Sequence, residues 1–247
     1  EIYQFLHYYN RIMESQHNFF WGELDGSAEP RSQIESAYLQ LREDIIDGRH
    51  APGERLRVEH LKDQYNVGAG TLREALALLV SDSLVVSQSQ RGFRVAPMSL
   101  ADIEDLTRTR TVLECAAFRD SMQLGDDEWE ARVVSAYHKL SLTEVRLAND
   151  AANVFDEWEE RNRAFHEALT SASPSTWIQR FRVILYRQAR RYRRLSAVSS
   201  VVPTQVHEEH RQIFEAAMNR DIVGAEKLLA QHIQLALTVI KQRGILK

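Results

Sequence analysis

Glu43-Asp44-Ile45-Ile46-Asp47-Gly48, Ala51-Pro52-Gly53-Glu54-Arg55-Leu56, Leu72-Arg73-Glu74-Ala75-Leu76 and Gly92-Phe93-Arg94-Val95 fall within one stretch, residues 43–96, whose reading decides the fold. Just upstream, Ile34, Ala37, Leu41, Ile45 and Ile46 recur at helical spacing, so 32–47 reads as an amphipathic helix stopped by Gly48. Pro52-Gly53 forces a turn. A short helix follows over Val58–Tyr65, and Gly68 and Gly70 are expected to make the tight turn into a second helix ending near Ser81. Thr71-Leu72-Arg73-Glu74 has the form of a capping box at that helix's start. Leu84-Val85-Val86 and Phe93-Arg94-Val95 read as two strands of a hairpin, with Gly92 where a left-handed residue is needed.

A positioning helix, two crossed helices and a hairpin wing, in that order, make a unit suited to double-stranded DNA. The second crossed helix enters a major groove end-first, so residues near its start reach base edges. Arg73 lies away from the apolar Leu72 and Leu76 and is placed for bases or phosphate. The wing tip at Gln90-Arg91-Gly92 offers a cation and close backbone.

Composition bounds the rest. The chain has 247 residues, 44% of them hydrophobic, with no apolar run long enough for a membrane span. A single cysteine, Cys115, excludes an intrachain disulfide framework and fits a cytoplasmic protein; a small buried apolar role is expected for it. Residues 31–99 hold nine Lys/Arg and nine Asp/Glu, so the net charge of −4 comes from residues 1–30. DNA affinity must therefore rest on local placement of Arg55, Arg57, Arg73 and Arg91 and on doubling in a homodimer. The acidic, aromatic-rich segment 1–30 reads as an N-terminal extension of unassigned role.

Beyond Pro97-Met98-Ser99 the period is helical throughout: 100–122, 127–149, 151–172, 175–196, 204–219 and 222–243. The fold expected is mainly α, with a winged helix-turn-helix at 31–98 and an all-α bundle at 99–247 whose interior is a natural ligand cavity. Nucleotide loops, paired-cysteine motifs and nucleophile elbows are missing from the sequence. The chemistry lies in imidazoles: Asn162 and His166 share a helical face, and His210 and His232 sit on two later helices. Three neutral imidazoles and an oxygen donor can hold a divalent ion such as zinc with positions left open. His207 falls on another face and reads as solvated. The run Arg187, Arg190, Arg191, Arg193 and Arg194 can turn only part of itself inward, with Arg187, Arg191 and Arg194 on one side.

The first unit resembles the winged helix-turn-helix of GntR-type transcriptional regulators, through Pro52-Gly53-Glu54-Arg55-Leu56 and Leu72-Arg73-Glu74-Ala75-Leu76. By that resemblance Thr71, Arg73, Arg91 and Gly92 contact DNA, with Arg57 near another contact position. Family members commonly carry Ser-Arg-Thr-Pro where this chain has Gly68-Ala69-Gly70-Thr71, so a base-reading Arg is missing and a less Arg-dependent operator is implied. The bundle is similar to the FCD domain of the FadR-type branch, through Arg110-Thr111-Val112-Leu113-Glu114, Ala164-Phe165-His166, Glu209-His210-Arg211 and Gln231-His232-Ile233. That branch holds a metal with one Asp and three His, and the Asp position here is Asn162. A weaker metal site, or one completed by the effector's own carboxylate, is implied, with a metal-free anion pocket as the alternative. Arg110 resembles the residue that reaches the effector, and Arg187 and Arg191 are candidates for a second clamp. Tyr65–Glu74, Asp127–Ala131 and Ala189–Arg193 are most similar to the CsiR type, repressors of glutarate and 4-aminobutyrate catabolism, which implies a small dicarboxylate effector.

The reading is a homodimeric, effector-responsive repressor on a palindromic operator, and not an enzyme. The competing reading is a metal-dependent hydrolase built on the three His; no recognisable motif places a general base for it, although Glu159 falls on the face of Asn162 and His166.

Overall fold

The apolar stripe at 34–46 folds as α1 (Gln33–Ile46), and Gly48 stops it at φ +76°. The computed structural model describes residues 32–88, 92–197 and 203–246, so the extension 1–30 and the wing-tip Arg91 lie outside the described residues. Two contact-defined units emerge: one comprises Arg55–Arg94 with the residues up to Glu43, the other Asp44–Glu54 with Val95 onward. The segment 44–54 was expected with the DNA-reading unit, but its contacts belong to the second.

In the first unit, α2 (Val58–Gln64) and α3 (Ala69–Ser81) pack together and bury Leu61, Tyr65, Leu72, Ala75, Leu76 and Leu79. Two local expectations fail. The turn into α3 is made by Asn66 at φ +53°, an amide side chain being tolerated in the left-handed region, while Gly68 is extended at φ −69°. The helix also begins earlier than the Thr71 capping box: Gly68 is its N-cap and makes no side-chain bond, which leaves Thr71 in the first turn. The wing adds a strand that escaped the sequence reading, because two residues carry no period. β1 (Arg55–Leu56), β2 (Val85–Gln88) and β3 (Gly92–Val95) form a sheet in the order β1-β3-β2, antiparallel between β1 and β3, with Gly92 left-handed at φ +81°.

The second unit carries α4 (Leu100–Leu124), α5 (Asp127–Leu147), α6 (Ala151–Leu169), α7 (Thr176–Ala197), α8 (Pro203–Met218) and α9 (Ile222–Arg243). Their starts are set by side chains that satisfy free amides: Ser99 caps α4, Asp126 caps α5 and Asp221 caps α9. α5 packs on α6, α4 on α7 and α9, and α8 on α5 and α9. Phe118, Trp129, Val133, Leu140, Phe165, Ile213 and Leu229 form the core between them. Gly125, joining α4 to α5, is fixed by that packing. An added Cβ would stand 2.6 Å from the Ser121 carbonyl and 2.7 Å from Trp129 Cγ.

Candidate functional site

α6, α8 and α9 each send one imidazole to a common point. His166 Nε2 lies 3.3 Å from His232 Nε2, and His210 Nε2 lies 3.2 Å from the same atom. All three residues offer a ligand atom within 4.8 Å of one another, and His166 and His210 are buried. The opposite ring nitrogens each meet a glutamate. His210 Nδ1 is 2.6 Å from Glu144 Oε1, His232 Nδ1 is 2.8 Å from Glu209 Oε2, and His166 Nδ1 is 3.5 Å from Glu114 Oε2. A carboxylate only accepts, so Glu144 and Glu209 hold the proton on Nδ1 of their imidazoles and turn an Nε2 lone pair inward, while Glu114 Oε2 faces His166 Nδ1 without completing a hydrogen bond.

The electrostatics follow from burial. Burial favours the neutral imidazole of His166, and despite the pull of Glu114 its pKa drops to about 3. His232 is lowered by burial and by His210. Burial pushes the carboxyls of Glu114, Glu144 and Glu209 upward. Arg110 overcomes this at Glu114, His210 at Glu144 and His232 at Glu209, so all three stay below the ordinary carboxylate range. Neutral imidazoles backed by anions are good bases toward a cation.

Asn162 lies on α6 one turn before His166, fully buried. Its Nδ2 donates to the Tyr186 hydroxyl at 2.8 Å, and its Oδ1 has no hydrogen-bond partner. A buried amide oxygen left unbonded is unfavourable unless something accepts its lone pair. In a tetrahedral zinc site with Zn–N near 2.0–2.1 Å the nitrogens stand about 3.3 Å apart. Two of the three pairs, at 3.2 and 3.3 Å between Nε2 atoms, match that spacing, and the whole set lies within 4.8 Å. The donor set therefore fits a divalent ion.

Beside His232 opens a cavity of about 70 Å³, partly open to solvent. Arg110 reaches it from α4, where it is buried and pairs with Glu114 at 2.8 Å. Arg187 and Arg191 do not line it. Arg191 is buried with its guanidinium on the Ala96 carbonyl, at 2.7 Å, and on Gln188, so it fastens the chain leading into α4 and does not clamp an anion. Arg193 of the same run does line the cavity, yet it is committed to Glu159 through two bonds of 2.7 and 2.8 Å. That pairing also occupies both oxygens of Glu159, the carboxylate that the sequence offered a hydrolase as base. Arg190 and Arg194 meet Asp47 at 3.2 and 3.0 Å. His207, expected in solvent, bonds Glu144 Oε2 at 2.8 Å and shares that carboxylate with His210. Cys115 is half-buried, with its thiol on the Glu226 carbonyl and its pKa pushed up to about 11 by burial, as suits an inert thiol.

The sequence reading named the imidazoles and missed their glutamates. Glu114 carried a signal, standing one turn after Arg110, and Glu209 adjoins His210. Glu144 comes from α5 with no motif at all.

On the first unit, Arg73 is exposed on α3, Thr71 is half-buried in its first turn, and Arg57 is exposed at the N-cap of α2 without a capping bond. Gly92 is exposed where β3 begins. The β1–β3 register sets Arg55 opposite Arg94. Like charges placed directly across strands are unfavourable by themselves and favourable toward a polyanion.

Comparison with known proteins bears on both units. Residues 33–95 match the gntR family of bacterial regulatory proteins, and residues 105–235 match the FCD domain. The chain belongs to the GntR family. It is 51% identical to the HTH-type transcriptional regulator BphR of Paraburkholderia xenovorans, over 89% of this chain and 90% of that protein. The HTH-type transcriptional repressor GlaR of Escherichia coli is 35% identical over 83% of this chain and 94% of its own length. Among solved structures, a GntR regulator of Rhodococcus sp. RHA1 superposes with a TM-score of 0.65 at 27% identity, covering 85% of this chain and 97% of that one. The fold is also that of E. coli McbR/YncC, with a TM-score of 0.69 at 19% identity over 86% of this chain and 99% of that one. The chain is thus a transcription regulator with a DNA-binding GntR domain and an effector-binding FCD domain, and the hydrolase reading falls. None of these likenesses carries the CsiR-type ligand specificity. No described helix is long and apolar enough to cross a membrane.

Proposed function

We propose that this GntR-family regulator works as a homodimeric repressor whose bundle senses a small carboxylate through a divalent metal ion. The observation that carries the reading is the convergence of three imidazoles, two with the opposite nitrogen bonded to a glutamate and the third facing Glu114 at 3.5 Å. His166, His210 and His232 hold the ion, and Asn162 Oδ1 supplies a neutral fourth donor. The bound ion, zinc or similar, acts as a Lewis acid toward the effector's carboxylate. Arg110, buried at the cavity wall, orients that carboxylate by charge-assisted bonds. Arg57, Thr71, Arg73, Arg91 and Gly92 make the DNA contacts, two winged units gripping the half-sites of a palindrome.

The route from cavity to linker lies within the second unit. Ile103, Thr107 and Arg110 of α4 and Tyr192 and Arg193 of α7 share the cavity wall. Arg191, next to Tyr192, holds the Ala96 carbonyl, and the Tyr192 hydroxyl bonds Asp102 and takes the Ser99 amide at 3.4 Å. An occupant that shifts α4 against α7 therefore loads residues 96–102, the chain that continues from the wing. For the effector to release DNA it must prefer the DNA-incompetent arrangement, and the coupling is reciprocal. Elemental analysis of purified protein tests the metal half: near-stoichiometric zinc or a similar ion is expected, lost in His210→Ala. A wild-type chain that retains no divalent ion after equilibration with zinc contradicts it.

A further inference from the structure

The cavity is chemically lopsided. At one end stand His232 and Arg110; the remaining wall is largely Ile103, Leu106, Trp158, Val206, Ile233 and Val239. Three of the polar groups on that wall are already engaged, the Ser196 hydroxyl on the Arg193 carbonyl among them. Arg193 is bound to Glu159 and the Tyr192 hydroxyl to Asp102. An occupant thus meets one anion-receptive end and an apolar chamber. A carboxylate buried in such a chamber, without a counter-ion, is strongly disfavoured.

The charges around the site agree. Glu114, Glu144, Glu159, Glu167 and Glu209 face Arg110, Arg163, Arg182 and Arg193, one negative charge in excess when the imidazoles are neutral. A divalent ion turns that excess to one positive charge. One carboxylate closes the set to neutrality, and a second, set against the apolar wall, would leave a net charge there. We infer that the effector is a monocarboxylate with an aliphatic or aromatic body, its head at the His232–Arg110 end and its body in the apolar chamber, in place of the dicarboxylate that the CsiR resemblance implies. This rests on the reading of the imidazole end as a carboxylate site.

Calorimetric titration of the zinc-loaded full-length chain with 4-phenylbutanoate, glutarate and 4-phenylbutanamide separates the two layers. The acid should bind at least about tenfold more tightly than glutarate, and the amide about tenfold or more weakly than the acid. Glutarate binding as tightly as 4-phenylbutanoate overturns the monocarboxylate inference while leaving the carboxylate end intact. An amide as good as the acid overturns the carboxylate end itself. Absence of binding by 4-phenylbutanoate, hexanoate and benzoate alike overturns the inference. Ala236→Phe, on the chamber wall, should weaken 4-phenylbutanoate about tenfold with zinc retention unchanged; unaltered affinity counts against the chamber as the body's site.

Discussion

His210 Nδ1 meets Glu144 Oε1 at 2.6 Å in a fully buried pair, and Glu144 reaches it from a different helix. The contact fixes the imidazole's tautomer and its direction, and so decides whether Nε2 can face His232. Glu144 also accepts from His207 and from Trp158 Nε1, so one carboxylate steadies three side chains.

Removing that charge while keeping the shape should loosen the site. Glu144→Gln is expected to lower zinc affinity roughly 10–100-fold, the usual effect of an outer-sphere change. Competition against a fluorescent chelator measures it. Unchanged affinity would mean that the glutamate is structural only.

Asn162→Asp restores an anionic oxygen beside His166. Metal retention should increase, with the new carboxylate able to accept from the Tyr186 hydroxyl in place of the present Nδ2 bond. The rate of zinc loss to excess chelator reports this. An equal rate in both proteins would place residue 162 outside the coordination sphere.

Acid should destabilise the metal-free protein before ordinary carboxylates titrate. His166 takes its proton near pH 6.5 when unfolded, but only at about 3 when folded, because burial opposes the charge. Between those values the unfolded chain binds the extra proton. The stability contributed is complete above 6.5 and lost as pH falls toward 3, at up to about 1.4 kcal/mol per pH unit. Denaturant midpoints of chelator-treated protein at descending pH check the slope. His166→Gln should flatten it, and a wild-type curve level from pH 7 to 5 would contradict the buried neutral state.

Gly125→Ala tests the packing that holds α4 to α5. The backbone there has φ −67°, so strain is not the issue; the added methyl meets the buried Trp129 ring and the Ser121 carbonyl. A loss of roughly 1–3 kcal/mol is expected, read by denaturant unfolding. A neutral result would show that the Trp129 ring yields.

On the DNA side, Arg73→Ala should weaken operator binding by about 1–3 kcal/mol if Arg73 reads a base, and relax specificity at one position of each half-site. If it meets phosphate, the loss is uniform across sequences and the salt dependence becomes shallower. Anisotropy titrations on selected and scrambled duplexes distinguish these. No change on any duplex would remove Arg73 from the interface.

What the sequence revealed and what it hid divide along physical lines. Long amphipathic helices are written in their own period, so α4 to α9 were legible to within a few residues. Gly48 and Gly92 were legible because the left-handed region selects glycine. Asn66 was not, since an asparagine that takes positive φ looks like any other. The imidazoles were legible through Asn162–His166 spacing and family resemblance. Glu144 was set by how α5 packs on α8, which no local pattern records. The arginine run shows the same limit: Arg191 and Arg193 are two residues apart, yet one holds a backbone carbonyl and the other a buried glutamate at the cavity wall.

The most direct measurement is operator affinity of the full-length protein in three states: metal-free, zinc-loaded, and zinc-loaded with saturating 4-phenylbutanoate. The account predicts weaker operator binding in the third state than in the second, and no such difference in His166→Ala. Identical affinity in all three states, with the ligand shown by calorimetry to be bound, would contradict it.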